Sequence, residues 1–467
     1  MATFTHDTFI SPLTWRYGSE EMRTIFSERH RRILFRKVWI ALAQTECEAG
    51  LVKESQVAEL MEHAEDIDID TAAKWEAELH HDLMAEIKTY ASQCPTAGAI
   101  IHLGATSMDI EDNADAIRLK EALGLLAGKV ESLLSLFVDK MEEYKAVPCM
   151  AFTHIQPAEP TTIGYRFAQT AQDLLHDLDD LRRVRDDIKG KGMKGAVGTS
   201  ASYVELMKGC AMDAQQMEDR IMDRLGIPAF TAATQVYPRK QDLRVGEAVM
   251  NLATTLSRFS LDFRLLMSPP IGEWSEPFGK KQVGSSAMPF KRNPINNEKI
   301  DSLARYVESQ VNALWQNNSA MILERTLDDS ANRRMIIPAL FITSDEMVRT
   351  ASKLLSGMGI HMPAVRRNMQ TYGIFAASER LLMELGRAGA DRQEMHEVIR
   401  ENSLKAWDEV QNGRANPLAQ LLESDPRILR FMNPEKVATF LNADDYVGLA
   451  PQRTERIITL CKKALGH

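Results

Sequence analysis

The chain has 467 residues, about three times a typical domain of ~150 residues, with 44% hydrophobic and 26% charged residues. That balance excludes a disordered segment and a miniprotein that depends on cross-links. Lys and Arg number 56 against 65 Asp and Glu, a net charge of −9, so the overall charge favours neither nucleic acid nor anionic lipid. An anionic ligand has to be caught by a local cluster of bases. Residues 1–17 lack a basic stretch followed by an apolar one, and no stretch offers the ~18 uninterrupted apolar residues of a membrane span, so a cytoplasmic enzyme is expected. The cysteines Cys47, Cys94, Cys149, Cys210 and Cys461 form no CxxC pair or metal-ligand spacing and read as reduced thiols.

In chain order, residues 30–50 predict a helix stopped by Gly50, and residues 55–93 predict two more before the Cys94-Pro95 break. Five seams of apolar residues at steps of three and four then predict five long amphipathic helices between about 110 and 360. They run through Ile117, Leu123, Leu126, Val130, Leu133, Phe137 and Met141; through Leu174, Leu178, Leu181 and Ile188; and through Leu252, Leu256, Phe259, Phe263 and Leu266. The last two run through Ile300, Leu303, Val307, Val311 and Leu314, then Leu340, Met347 and Leu354, with Pro338 kinking the start of the final helix. Beyond Gly357 and Gly359 short helices are expected. No segment alternates apolar and polar residues strongly enough for an extensive sheet. The expected fold is all-α in three parts: 1–110, a central long-helix bundle at 111–360, and 361–467. Apolar residues outside the stripes, such as Leu125, Leu134 and Leu136, suggest subunit contacts.

The segment Gly284-Ser285-Ser286-Ala287-Met288-Pro289-Phe290-Lys291-Arg292-Asn293-Pro294 has no apolar period and cannot be a core helix. It reads either as a solvated connector or as a closing loop that presents hydroxyl, amide and cationic groups to an anion. The run GSSAMPFKRNP resembles the signature loop of the fumarase/aspartase superfamily, in the form of its adenylosuccinate lyase branch. Further matches are SPLTWRYGSEEM at 11–22, HHDLMAEI at 80–87, HLGATSMDI at 102–110, FTHIQPAEPTT at 152–162, QVYPRK at 235–240 and ERTLDDSANRR at 324–334. They occur in the family's order and cover most of the chain.

The resemblance implies a homotetramer with a shared helical core, each active site being built from three subunits. It also implies β-elimination of fumarate from adenylosuccinate, and from the succinylated aminoimidazole carboxamide ribotide, without metal or other cofactor. By the same resemblance Ser285 removes the Cβ proton, Lys291 and Asn293 hold the carboxylate that becomes an aci-carboxylate, His154 beside Thr153 protonates the departing nitrogen, and Glu298 orients His154. Physically, the carbanion needs pre-placed donors, a serine base needs nearby positive charge, and an imidazole gives and takes a proton near neutrality. A plainer alternative makes His154 a capping residue ahead of Pro157.

Arg16, Tyr17, His81, Asp82, Thr106, Ser107, Gln235, Arg325, Ser330 and Arg334 match the family's substrate-binding positions, with His102 nearby. A surface ion pair is the plainer reading of any one of these arginines. Two departures are visible: His80 stands where an arginine is common, and Lys299 stands at another arginine position. The HHD triplet lacks a second ligand at a metal spacing, so substrate contact is preferred to metal binding. The competing readings are another superfamily lyase, such as an argininosuccinate lyase, and a catalytically silent scaffold. The Ala287 of the loop disfavours the first, and the presence of Ser285, His154, Lys291 and Glu298 disfavours the second.

Overall fold

The computed structural model describes residues 5, 7–279, 281–284, 287, 288 and 290–466, and the expected base Ser285 lies outside them. Helix makes up 66% and strand 4%. Five long helices are present: Ser107–Tyr144, Ile163–Asp186, Lys240–Met267, Ile295–Ser319 and Ser330–Gly357. The predicted seams are their buried stripes. Leu252, Leu256, Phe259, Phe263 and Leu266 are at most 5% exposed, and the seam from Ile117 to Met141 is equally closed. Leu303 is only half-buried. Leu134 is buried within the chain, and Leu125 and Leu136 are half-buried, so these three do not make a free apolar face. The large apolar side chains left exposed are others, among them Leu261, Leu265, Tyr306, Trp315 and Met335. No helix among the described residues is long and apolar enough to cross a membrane.

The described residues form two compact units, and neither is contiguous in sequence. The first comprises 1–130, 177–254 and 302–349. Its helix Glu28–Glu48 starts at Ser27, whose hydroxyl accepts the N–H of His30, and ends before Gly50, which takes φ 81° as a helix stop requires. Leu34, Val38, Trp39 and Leu42 form its buried stripe. Arg36 donates to Glu86 at 3.0 and 3.1 Å and Arg32 donates to the same carboxylate at 2.6 Å. All three side chains are buried, so this pairing fixes helix Asp82–Gln93, and hence its first residues, against Glu28–Glu48. Asp109 anchors the start of Ser107–Tyr144 in a similar way. One of its oxygens accepts from the Lys191 ammonium at 2.6 Å and the Lys194 and Gly195 amides at 3.1 Å, while the other accepts the Tyr203 hydroxyl at 3.1 Å and the Thr106 amide at 3.0 Å.

The second unit comprises 131–176, 255–301 and 350–467. Phe137, Phe167, Phe259, Phe263 and Trp274 form an aromatic cluster in which Phe167 and Trp274 stack at 5.0 Å. An antiparallel hairpin, Pro148–Thr153 with Gln156–Thr162, interrupts the helices, and a two-residue ladder pairs Trp274–Ser275 with Gly359–Ile360. The expectation of no extensive sheet holds, but this hairpin was not foreseen. Arg166 ties it down, donating to the Met150 carbonyl and, at 2.7 Å, to the buried Glu273. Leu381, Leu385, Met395, Val398, Leu418 and Leu422 form the core of the closing short helices.

Candidate active site

A cavity of about 540 Å³ opens in the first unit. Eight of the residues singled out above line it: His81, Asp82, Thr106, Ser107, Gln235, Arg325, Ser330 and Arg334. Their positions follow from helix starts. Asp82, Ser107 and Ser330 are the first residues of three separate helices, so three N-terminal dipole ends lie at the wall of one cavity. Such ends favour an anion, and phosphate is the common case.

His81 caps its helix: the ring Nδ1 accepts the Met84 N–H at 3.4 Å. In the neutral ring the proton therefore sits on Nε2, which faces the Ser107 hydroxyl at 3.4 Å. Arg334 donates to Asp82 at 2.6 Å, and Arg31 lies 3.6 Å from the same oxygen. Burial opposes ionisation of Asp82, but Arg334 and Arg31 outweigh it and hold the carboxyl below its ordinary range. Arg325 donates to Asp329 at 2.7 Å, which also accepts Arg239 at 2.6 Å. His80, the departure from the family's arginine, ends the preceding helix at φ 52° and also lines the cavity. His102 sits at φ 72° with its Nδ1 accepting the Trp39 indole N–H at 3.2 Å. Burial lowers its imidazole to about 4, against the opposing charge of Asp109, so it is neutral.

Several wall residues were not singled out from the sequence. Arg31, Glu111, Asp115 and Arg118 line the cavity from helices Glu28–Glu48 and Ser107–Tyr144, and Arg239 and Arg333 lie in its floor. Arg239 donates to Asp112 at 3.1 Å, and Arg333 donates to Asp242 at 2.7 Å and to the Tyr237 hydroxyl at 2.8 Å. The available signal was adjacency: Arg239 lies inside QVYPRK, Arg333 precedes Arg334, and Glu111 and Asp115 follow Ser107 at one and two helical turns. Arg16 and Tyr17 are not among the described residues lining the cavity; the Arg16 guanidinium lies over the Trp15 and Tyr17 rings at 5.7 and 6.0 Å.

The remaining predicted residues belong to the second unit. Thr153 pairs with Gln156, which makes His154 and Ile155 the two-residue turn of the hairpin. Their φ angles are 53° and 60°, the left-handed pair that such a turn demands. Asn-Gly is the usual occupant, and a β-branched Ile at positive φ is an outlier of the kind that accompanies functional sites. His154 is exposed at the hairpin tip, and the capping alternative is overturned because a strand, not a helix, follows it.

The described residues of the signature segment, 284, 287, 288 and 290–294, lie in no helix or strand. Gly284 is close-packed against the segment: a Cβ there would stand 2.1 Å from the Lys291 carbonyl oxygen. Asn293 donates to the Gly284 carbonyl at 3.2 Å, and Arg292 lies over the Phe278 ring at 4.9 Å. Lys291 is exposed. Glu276 closes the loop by accepting the Asn296 and Asn297 amides at 3.1 and 2.9 Å, which caps helix Ile295–Ser319. That helix carries Glu298, half-exposed and 3.9 Å from Arg264, and also Lys299. Among the described residues His154 and Glu298 form no hydrogen bond or ion pair with each other within the chain.

A family model described as "Lyase" matches residues 16–308, and one described as "Adenylosuccinate lyase C-terminus" matches 375–457. The chain is 39% identical to an adenylosuccinate lyase of Schistosoma mansoni, over 90% of this chain and 88% of that one. It is 37% identical to one of Saccharomyces cerevisiae over 97% and 94%, and 32% identical to one of Archaeoglobus fulgidus over 98% and 99%. Among solved structures, a 3-carboxy-cis,cis-muconate lactonizing enzyme from Pseudomonas putida superposes with a TM-score of 0.84 at 23% identity, covering 96% of this chain and 98% of that one. A fumarate lyase from Mesorhizobium superposes at 0.83 and 18% identity, covering 95% and 98%. Both share the fold.

Proposed function

The chain belongs to the adenylosuccinate lyase family of the fumarase/aspartase superfamily, and we propose how its own residues perform that family's reaction. It is a carbon–nitrogen lyase that releases fumarate from adenylosuccinate and leaves AMP. The Cβ–H bond breaks to a base, the electron pair forms the Cα–Cβ double bond, the Cα–N bond breaks, and the nitrogen takes a proton. In our reading the cavity of the first unit holds the nucleotide phosphate end, and the convergence of three helix N-termini with Arg325 and Arg334 is the observation that carries it. Asp82 and Asp329 keep those two arginines aimed before the ligand arrives. Arg16 and Tyr17, which are not among the described residues lining this cavity, are assigned to the nucleotide on the family resemblance alone.

Ser285 is the base, Lys291 and Asn293 hold the carboxylate next to the ionising carbon, and His154, with Thr153 beside it, supplies the proton to the leaving nitrogen. The strained turn supports the assignment of His154, since it fixes an exposed imidazole on a short, tied-down hairpin. Glu298 orients a His154 of another subunit. The missing pairing within one chain supports this, as do the exposed Leu261, Leu265, Tyr306 and Trp315 on the long helices. We therefore propose a homotetramer with three subunits at each site and the division 1–110, 111–360 and 361–467 for each subunit. The succinylated aminoimidazole carboxamide ribotide is the second substrate.

The test is fumarate release from purified protein given adenylosuccinate, the imidazole ribotide and argininosuccinate in parallel, with no metal added. Release from the two purine substrates and none from argininosuccinate is expected, and turnover of argininosuccinate alone would overturn the substrate. Mixing inactive Ser285→Ala and His154→Ala subunits tests the shared site: activity must reappear after confirmed subunit exchange, and continued silence rejects it.

A further inference from the structure

Glu111 is a carboxyl group without an assigned task in the wall of a cavity that receives an anion. It lies one helical turn after Ser107 and one before Asp115, so all three side chains occupy one face of helix Ser107–Tyr144, and all three line the cavity. Its side chain is 13% exposed, and its ion-pair partner among the described residues is Arg31, at 3.5 Å. That guanidinium is shared, with Asp82 at 3.6 Å and Glu28 at 3.8 Å. From helix Ser330–Gly357 comes Arg334, which is committed to Asp82 at 2.6 Å. From the N-terminal end of helix Asp82–Gln93 come His81 and Asp82, and on its own helix the next neighbour is Asp115.

Glu111 therefore faces two carboxylates and only fractions of two cations. Burial pushes its carboxyl up, Asp82 and Asp115 add to this, Arg31 and Arg334 oppose it, and the balance lies at about 7. A phosphate dianion entering beside Arg334 adds negative charge and draws on the same cations. An ionised Glu111 would repel that ligand, whereas a neutral one offers an O–H donor to it.

We propose that Glu111 is a ligand-binding group of this cavity that donates from its neutral form to an oxygen of the nucleotide phosphate, so that nucleotide and proton bind together. The inference rests on the reading of the cavity as the phosphate site. Binding coupled to proton uptake weakens as pH rises: in the wild type the Kd for AMP increases by up to about tenfold per pH unit above neutrality, until the bound carboxyl itself ionises. Glu111→Gln keeps a donor of the same shape and cannot ionise, so its Kd is level over the same range.

The experiment is calorimetric titration of the full-length protein with AMP, in buffers of different ionisation enthalpy, on the wild type, Glu111→Gln and Arg334→Ala. Uptake approaching one proton per AMP in mildly alkaline buffer is expected for the wild type and none for Glu111→Gln, with the two affinities within about threefold in mildly acidic buffer, where both side chains are neutral. That acidic comparison also checks the fold of the variant. Equal uptake in wild type and Glu111→Gln would assign the proton to His80 or His81 and overturn the inference alone. No AMP binding by the wild type, or binding indifferent to Arg334→Ala, would overturn the phosphate reading and the inference with it. In steady-state kinetics the substitution flattens the rise of KM with pH and leaves the shape of the kcat profile in place, a split that a merely structural role would not give.

Discussion

Replacing Glu46 by Met is predicted to stabilise the protein by an amount that grows with pH. Glu46 lies on helix Glu28–Glu48, is fully buried, and neither carboxylate oxygen has a hydrogen-bond partner among the described residues. Burial alone raises its carboxyl from 4.5 to about 9. The folded chain therefore keeps Glu46 protonated at neutral pH while the unfolded chain ionises it. A raised folded value means that the stability is fully present below the unfolded value, about 4.3, and is lost progressively as pH rises towards the folded one. The slope is about 1.4 kcal/mol per pH unit, so between roughly pH 5.5 and 8.5 the wild type forfeits about 4 kcal/mol that a methionine of similar size retains. Guanidinium unfolding midpoints of both proteins across that range measure the effect. A gap of constant size would refute the reasoning, because it would mean that Glu46 has a charge or donor to pair with in the assembled protein.

Arg239→Ala strips a partner from Asp112 and Asp329, which are both buried, and should cost about 3–5 kcal/mol, read as a large fall in Tm. A fall of a few degrees or less would show that the two carboxyl groups simply take up protons. Gly284→Ala places a Cβ against the Lys291 carbonyl and displaces the segment that carries Lys291 and Asn293. A displacement of ~1 Å is worth about a hundredfold in kcat, with Tm unchanged because the loop is not part of the packed core. An unchanged kcat would separate the loop's backbone geometry from catalysis. Gly198→Ala is a contrasting stability test: with φ 87° and a Cβ 1.8 Å from the Ala233 carbonyl oxygen, it should lower Tm strongly, and a neutral outcome would show that this backbone can move apart.

The long helices were legible because Leu252, Leu256, Phe259 and Phe263 repeat at the helical period and are buried for that reason. The hairpin was not, since its strands contain Pro148, Pro157 and Pro160 and its turn is His154-Ile155 rather than a glycine pair. Bulged pairing between Met150 and Phe152 further erases any alternation. Within the cavity, the residues in compact motifs could be read directly. Arg31 and Glu111 could not, because a charge on an amphipathic helix looks like its solvated face until tertiary structure folds another helix over it. Nor could any local pattern show that Asp82, Ser107 and Ser330, separated by up to 248 residues in sequence, begin three helices that meet at one cavity.

Pro338 gives the cavity wall a mechanical property of its own. It sits inside helix Ser330–Gly357 and has no N–H to offer the carbonyl four residues earlier, which belongs to Arg334. The opening turns, with Ser330, Arg333 and Arg334, are thus joined to the rest of the helix by one rung fewer than a regular helix provides. Downstream, Leu340, Phe341, Met347 and Leu354 are at most 1% exposed and anchor the helix as a stiff beam. Arg334, to which we assign the anion, therefore stands on a compliant end of an otherwise rigid element. Small adjustments between ligands of different length can be absorbed at Pro338 without being transmitted into the packed interior.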